Sequence, residues 1–351
     1  MKSPKATIHL VIGLEGVILA VVLLFSIFNP AKHAVTEERE FEHKNQNGAI
    51  VSSETEIESE TEEHTEEEIV VPEMVYSEAV RAKVESMTLE AKVAQMLVTT
   101  PEQLTDMQKV TVTGNTTKNA ISSIPVGGMV YSAVNFDGPM QTAVMTDNLQ
   151  KYYVEQFGFP IFLMVAETGG TEASPLASDN GFTVEKSPAE IGAENNAEVA
   201  ASTAVNIAAY MNNQGLNTNI GIDGAYSTDE TVNVSMLDAT LTAYKEAGIY
   251  TATAVYHGAA DIILLGDVLP FSNTTHFLRN EKQYQGILLA NRITDTQSAI
   301  DAIIAGADMV YCDTEFKTTY QAILDAVNNE TINKELVDEA VMRILTYKGY
   351  E

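Results

Sequence analysis

The chain is poor in the residues that staple a fold, hold a metal or grip phosphate. It has one cysteine, Cys312, so no internal disulfide can form. The place of that cysteine inside the apolar run Ala307-Asp308-Met309-Val310-Tyr311-Cys312 marks it as a buried structural thiol. Beyond residue 75 the only histidines are His257 and His276, and with no second cysteine a zinc cage of ordinary composition is excluded. Basic residues number 20 against 49 acidic ones, a net charge of −29, which excludes nucleic acid as a partner because phosphate binding needs clustered Lys and Arg. The pairs Gly127-Gly128 and Gly169-Gly170 stand alone, without the Lys and Ser/Thr that a phosphate loop requires, and no cofactor is implied.

What is present divides into an apolar head, an acidic stretch and a long patterned region. From Ile8 to Phe28 run 21 residues with one charge, Glu15. As an α-helix this run would span about 30 Å, the thickness of a bilayer core. Lys2 and Lys5 precede it and an acidic stretch follows, so residues 1–7 are expected in the cytoplasm, 8–28 as a membrane anchor and the remainder outside the cell membrane. A cleavable signal peptide is the rival reading. The run exceeds the usual signal core of about 7–15 residues and no Ala-x-Ala site follows before Pro30, which favours an uncleaved anchor. Residues 29–75 read as a tether: the 13 Glu between positions 37 and 68 repel one another, and the stretch is too polar to bury a core.

From Tyr76 to the C-terminus, helical and strand-like patterns alternate. Apolar runs at Val126–Tyr131, Ile161–Ala166, Leu216–Ile222, Ile249–Tyr256, Ile262–Leu265, Ile287–Ala290 and Met309–Cys312 read as buried strands. Helical spacing is clearest at Met87–Leu97, Met140–Glu155, Ala197–Asn213, Thr296–Ala305, Phe316–Val327 and Lys334–Tyr347. This alternation predicts an α/β fold over residues 76–351, a (β/α)8 TIM-like barrel with a missing or irregular element. In such barrels the C-terminal strand ends carry the chemistry, so the candidate groups are Glu167, Asp223, Asp267 and Asp313, with His257 nearby. Asn291, closing the run Gly286 to Ala290, puts an amide where a barrel enzyme would present a carboxylate. Asp308, in the turn Ala305-Gly306-Ala307-Asp308, is expected to organise a helix-to-strand connection.

Five strings in collinear order resemble glycoside hydrolase family 3, above all its single-domain β-N-acetylhexosaminidases. They are Met87-Thr88-Leu89-Glu90-Ala91-Lys92-Val93-Ala94-Gln95-Met96, Val126-Gly127-Gly128-Met129-Val130, Pro160-Ile161-Phe162-Leu163-Met164-Val165, Ala305-Gly306-Ala307-Asp308-Met309 and Ala340-Val341-Met342-Arg343-Ile344-Leu345. The resemblance implies a sugar site at the C-terminal strand ends and hydrolysis with retention through a carboxylate nucleophile. It also implies what is lost. The family's nucleophile position falls on Asn291, its substrate-binding Asp on Ala166, and its Lys-His pair near Ala254 and Val255. The loop that carries the hexosaminidase acid/base pair is deleted, since His257-Gly258-Ala259-Ala260 leads almost at once into the next strand.

Two functions follow from these residues. The first is a non-catalytic module at the cell envelope, binding a protein partner or a glycan. The second is a divergent β-N-acetylhexosaminidase acting on cell-wall or other N-acetylglucosaminides, with Glu167, Asp223, His257 or Asp267 standing in for the lost groups.

Overall fold

The computed structural model describes residues 74–168, 174–176, 186–222, 225–266, 271–291, 293 and 295–351. The predicted anchor at 8–28, nearly all of the tether, and Asp223 and Asp267 lie outside the described residues. Among the described residues no helix is long and apolar enough to cross a membrane.

Eight parallel strands close into a barrel in the order β1 to β8. They are β1 (Leu97–Thr99), β2 (Gly128–Tyr131), β3 (Phe162–Val165), β4 (Thr218–Ile222), β5 (Tyr250–Thr253), β6 (Ile262–Leu265), β7 (Ile287–Ala290) and β8 (Met309–Cys312). All seven strands expected from sequence are present. The eighth, β1, had been absorbed into the helical pattern of Met87–Leu97. That helix runs only from Leu89 to Gln95, capped by the Thr88 hydroxyl on the Ala91 amide, and Leu97 already belongs to the sheet. Three residues, Leu97-Val98-Thr99, so soon after an amphipathic helix are too few to show a period of their own, and only pairing with both β2 and β8 marks them as a strand.

The helical layer is built from the alternating segments, with Ala197–Asn213 and Lys334–Tyr347 bounded as their spacing predicts. Helix Glu230–Glu246, less distinct in its pattern, packs beside Ala197–Asn213 over β4 and β5. One connection has no helix. Only eight residues, 254–261, join β5 to β6, whereas a parallel crossover normally takes a dozen or more, usually with a helix. The link is pinned by Asp261, whose carboxylate accepts from the Thr251 amide at 2.8 Å and hydroxyl at 3.0 Å. Tyr256 stacks edge-on against Tyr284, with Lys282 over its ring. This is the irregular element of the barrel.

Asp308 fastens the lower rim. Only 2% exposed, it accepts from the Leu288 amide at 2.7 Å, from Arg279 at 2.5 Å and from Arg343. It thereby joins the entry of β8 to β7, to the Phe277–Glu281 segment and to the C-terminal helix. At the same end of the barrel Lys348 is 3% exposed, its ammonium within 5.1–5.7 Å of the Tyr153, Phe159 and Phe162 ring centres. Its one hydrogen bond goes to Gln95 Oε1 at 2.8 Å. Gln95 in turn donates to the Pro125 carbonyl at 2.6 Å and to the Tyr153 hydroxyl at 2.7 Å.

Burial pushes the Lys348 ammonium well below its ordinary 10.5. Between that lowered value and 10.5 the unfolded chain holds the extra proton, so this group makes stability rise with pH across the window. Lys348→Met should flatten the rise in denaturant midpoint between neutral pH and about 10, where lysine begins to lose its proton in the unfolded chain. The slope is the readout, because Met also leaves Gln95 Oε1 without a donor at a cost of about 1–3 kcal/mol. An unchanged slope would show that Lys348 titrates alike in both states.

Candidate functional site

The register decides which residues face the barrel interior. Parallel neighbours share a face, and the pairs Val98↔Gly128, Gly128↔Phe162, Met164↔Thr218, Thr218↔Tyr250, Ala252↔Ile262, Leu264↔Leu289, Leu289↔Met309 and Val98↔Tyr311 form one continuous set. That set is the inner one: the Phe162 and Tyr250 rings meet at 5.2 Å although β4 lies between their strands. The opposite set meets the helices, as where Asn219 donates to the Tyr244 hydroxyl of helix Glu230–Glu246.

Because faces alternate, the residue just past each strand continues its inner set. Among the described residues the mouth is therefore ringed by Thr100 after β1, Ser132 after β2, Ala166 after β3, Ala254 after β5, Gly266 after β6, Asn291 after β7 and Asp313 after β8. Beneath them sit apolar Val130, Ile220 and Leu264, with Tyr311. Asp313 is the one carboxylate in this ring. Asn291 is half-buried, and its amide N–H donates to the Leu265 carbonyl at 3.0 Å, continuing the β6–β7 ladder.

Glu167 follows Ala166 and so belongs to the outer set. Its carboxylate is 1% exposed and accepts from the Ser174 hydroxyl. Its backbone is clamped by Asn219, which accepts from the Glu167 amide and donates to the Glu167 carbonyl, each at 3.0 Å. The strands approach so closely here that a Cβ on Gly221 would lie 2.6 Å from the Glu167 nitrogen. The cavity beside Glu167, under Ile207, Tyr226, Thr240 and Tyr244, measures about 30 Å³. One water needs roughly 10–15 Å³ by this kind of measure, so the space suits water and not a sugar ring.

His257 belongs to the shortened β5–β6 link. Its Nδ1 accepts from the Ala259 amide at 3.2 Å, and its Nε2 lies 3.9 Å from Asp238 on helix Glu230–Glu246. It closes a turn beside the outer helices. Ala254 and Val255, expected where the resemblance puts a Lys-His pair, are exposed and apolar. Cys312 is buried, and burial pushes its thiol up to about 12, which leaves it inert as a nucleophile. Of the sequence-derived candidates, the structure places Asn291, Ala166, Ala254 and Asp313 together at the mouth and sets Glu167 and His257 apart from it. Thr100, Ser132 and Gly266 were missed, because their place depends on strand register; the strict alternation around Val165 was the signal that could have turned Glu167 outward.

The fold has solved counterparts. A glycoside hydrolase family 3 β-N-acetylglucosaminidase from Paenibacillus sp. FPU-7 aligns with a TM-score of 0.66 at 19% identity, over 76% of this chain and 63% of that one. LpqI of M. tuberculosis aligns at 0.63 and 14% identity, over 79% of this chain and 98% of that one. A β-N-acetylhexosaminidase from Beutenbergia cavernae aligns at 0.64 and 16% identity, over 75% and 99%. The chain thus spans less than two thirds of the Paenibacillus protein and nearly all of the two others. No family model and no curated protein matches the sequence. The barrel resembles the N-terminal barrel domain of glycoside hydrolase family 3, and at these identities the likeness is one of fold.

Ala166 and Ala254 put methyl groups at two rim positions where the resemblance implies a substrate-binding Asp and a Lys, which removes contacts to sugar hydroxyls. Calorimetric titration with N-acetylglucosamine should give no saturable heat at millimolar ligand. A clear isotherm would show that the mouth still grips the sugar.

Proposed function

We propose that this chain is a non-catalytic barrel of glycoside hydrolase family 3 type, which works by binding a partner at the cell envelope. The observation that carries the reading is the mouth, where the strand end at which the resemblance implies the nucleophile holds an amide, Asn291, in continuation of the β6–β7 ladder. Glycoside hydrolysis needs two carboxyl groups, about 5–5.5 Å apart for retention or 6.5–9.5 Å for inversion. Glu167 points away from the mouth, and the amide of Asn291 is a far weaker nucleophile than a carboxylate. The eight-residue β5–β6 link is itself too short to bring an acid/base group over the mouth. The losses of polar rim groups favour a protein over a glycan as the partner.

In this reading residues 8–28 anchor the chain in the membrane and 29–75 hold the barrel away from it on the outer side. The apolar length of the first and the Glu-rich composition of the second support that placement. The structurally similar proteins from Paenibacillus and Beutenbergia are a β-N-acetylglucosaminidase and a β-N-acetylhexosaminidase, which makes such a glycoside the substrate to try.

A chromogenic N-acetylglucosaminide should be released no faster by the full-length protein than by buffer. Asn291→Asp should stay equally inactive, because Ala166, Ala254, Val255 and the deleted loop are separate losses. Turnover by the unaltered protein would overturn the non-catalytic reading, and turnover by Asn291→Asp alone would show that a single change had silenced an otherwise complete site. For topology, protease added to intact cells should digest the barrel; full protection would contradict an external position.

A further inference from the structure

The loops after β1 and β2 hold a concavity that the mouth does not use. It measures about 540 Å³ and is walled by Thr111–Thr113 on one side and by Gly138–Asn148, the first turns of helix Pro139–Phe157, on the other. Met140 is 82% exposed, Val112 65% and Val144 56%, and all three line it. Met107 and Val134, also exposed, stand on the same two loops. Five of the twelve exposed large apolar side chains of the described residues thus stand on the elements around this concavity, and clustered apolar surface of this kind marks an interaction site.

The walls are held in advance. Gln141 accepts from the Asp137 amide at 2.8 Å and donates to the Thr111 carbonyl at 2.5 Å, locking the two loops together. Asn135 donates to Glu102 at 2.6 Å and to the Val110 carbonyl at 2.9 Å, and Thr113 donates to the Met145 carbonyl at 2.7 Å. Beneath the patch, therefore, lies a satisfied polar lattice, and above it lie flexible thioethers and valines. A rigid concavity lowers the entropy lost on binding, while methionine adapts to the shape of what enters.

We infer that this concavity docks an amphipathic helix of a basic protein partner. Its long wall, about ten residues of helix or roughly 15 Å, matches three turns of a partner helix presenting apolar side chains at i, i+3 or i+4, and i+7. Charge selects the partner's sign. Residues 74–351 hold 34 Asp and Glu against 15 Lys and Arg, so a second copy or an anionic lipid surface would be repelled, whereas a helix with Lys and Arg on its polar face is attracted. At the rim Lys109 and Lys151 are paired with Asp137 at 2.9 Å and Asp147 at 2.6 Å, so neither opposes a cationic ligand as a bare charge. The inference rests on the binding-module reading above and names its surface.

The test uses the full-length protein and a fluorescein-labelled 18-residue Leu/Lys amphipathic helix, followed by anisotropy. Saturable binding should weaken at least tenfold in Val112→Ser/Met140→Ser/Val144→Ser, which keeps the net charge. Val205→Ser, an exposed site on helix Ala197–Asn213, should bind as the unaltered protein does. No binding by the unaltered protein, or equal binding by the triple variant, would overturn the proposal; equal binding of a Leu/Glu helix would overturn the basic partner. Self-association abolished by the triple variant would assign the surface to a second copy instead. Any of these failures leaves the glycoside assay unaffected, so the two readings fall separately.

Discussion

The barrel depends on one buried carboxylate. Asp308 stands at the entry to β8, the strand that closes the sheet onto β1, and it gathers the Leu288 amide and two guanidinium groups. A charge so deeply buried is tolerable only because its lone pairs are met; removing one partner of such a group costs about 3–5 kcal/mol. Through Arg279 and Arg343 the node ties the Phe277–Glu281 segment and the C-terminal helix to the sheet. The Arg343 guanidinium also reaches Glu339 one turn earlier at 2.8 Å, which fixes its direction.

That node and the Lys348 floor lie at the end of the barrel opposite the mouth. The separation means that residues at the mouth can vary without touching what closes the sheet. The lower rim is held by Asp308, Gln95, Tyr153 and the aromatic cage, none of which touches the upper ring. Changes at Ala166, Ala254 or Asn291 therefore leave the closure of the sheet intact, and even the missing fifth helix is bridged by the Asp261–Thr251 bonds and the Tyr256–Tyr284 contact. The upper face also carries apolar surface, on loops whose polar groups are hydrogen-bonded beneath it.

Much of this was legible in the chain itself. Apolar runs such as Ile287–Ala290 and Met309–Cys312 are buried on both faces in a parallel sheet, so their residue types announce the strands without help from neighbours. The absence of one helix was legible too, since eight residues between Thr253 and Ile262 leave no room for it. Strand β1 was not, because it is only three residues long and its first, Leu97, still lies on the apolar face of the helix before it. Helix Glu230–Glu246 was indistinct for a related reason: it is buried against both a neighbouring helix and the sheet, so no narrow apolar stripe stands out.

The sequence by itself determined the parallel barrel, the amide at Asn291 and the excess of acidic over basic residues, because residue type and spacing along the chain suffice for each. Only the tertiary structure decided where the side chains point. Ala166 and Glu167 are adjacent in sequence, yet one rims the mouth and the other is sealed under the helices, since a strand turns successive side chains to opposite faces and its register with its neighbours settles which face is inside. The apolar concavity arose in the same way: Val112 and Met140 lie far apart along the chain, and the Gln141 and Asn135 hydrogen bonds bring their loops together.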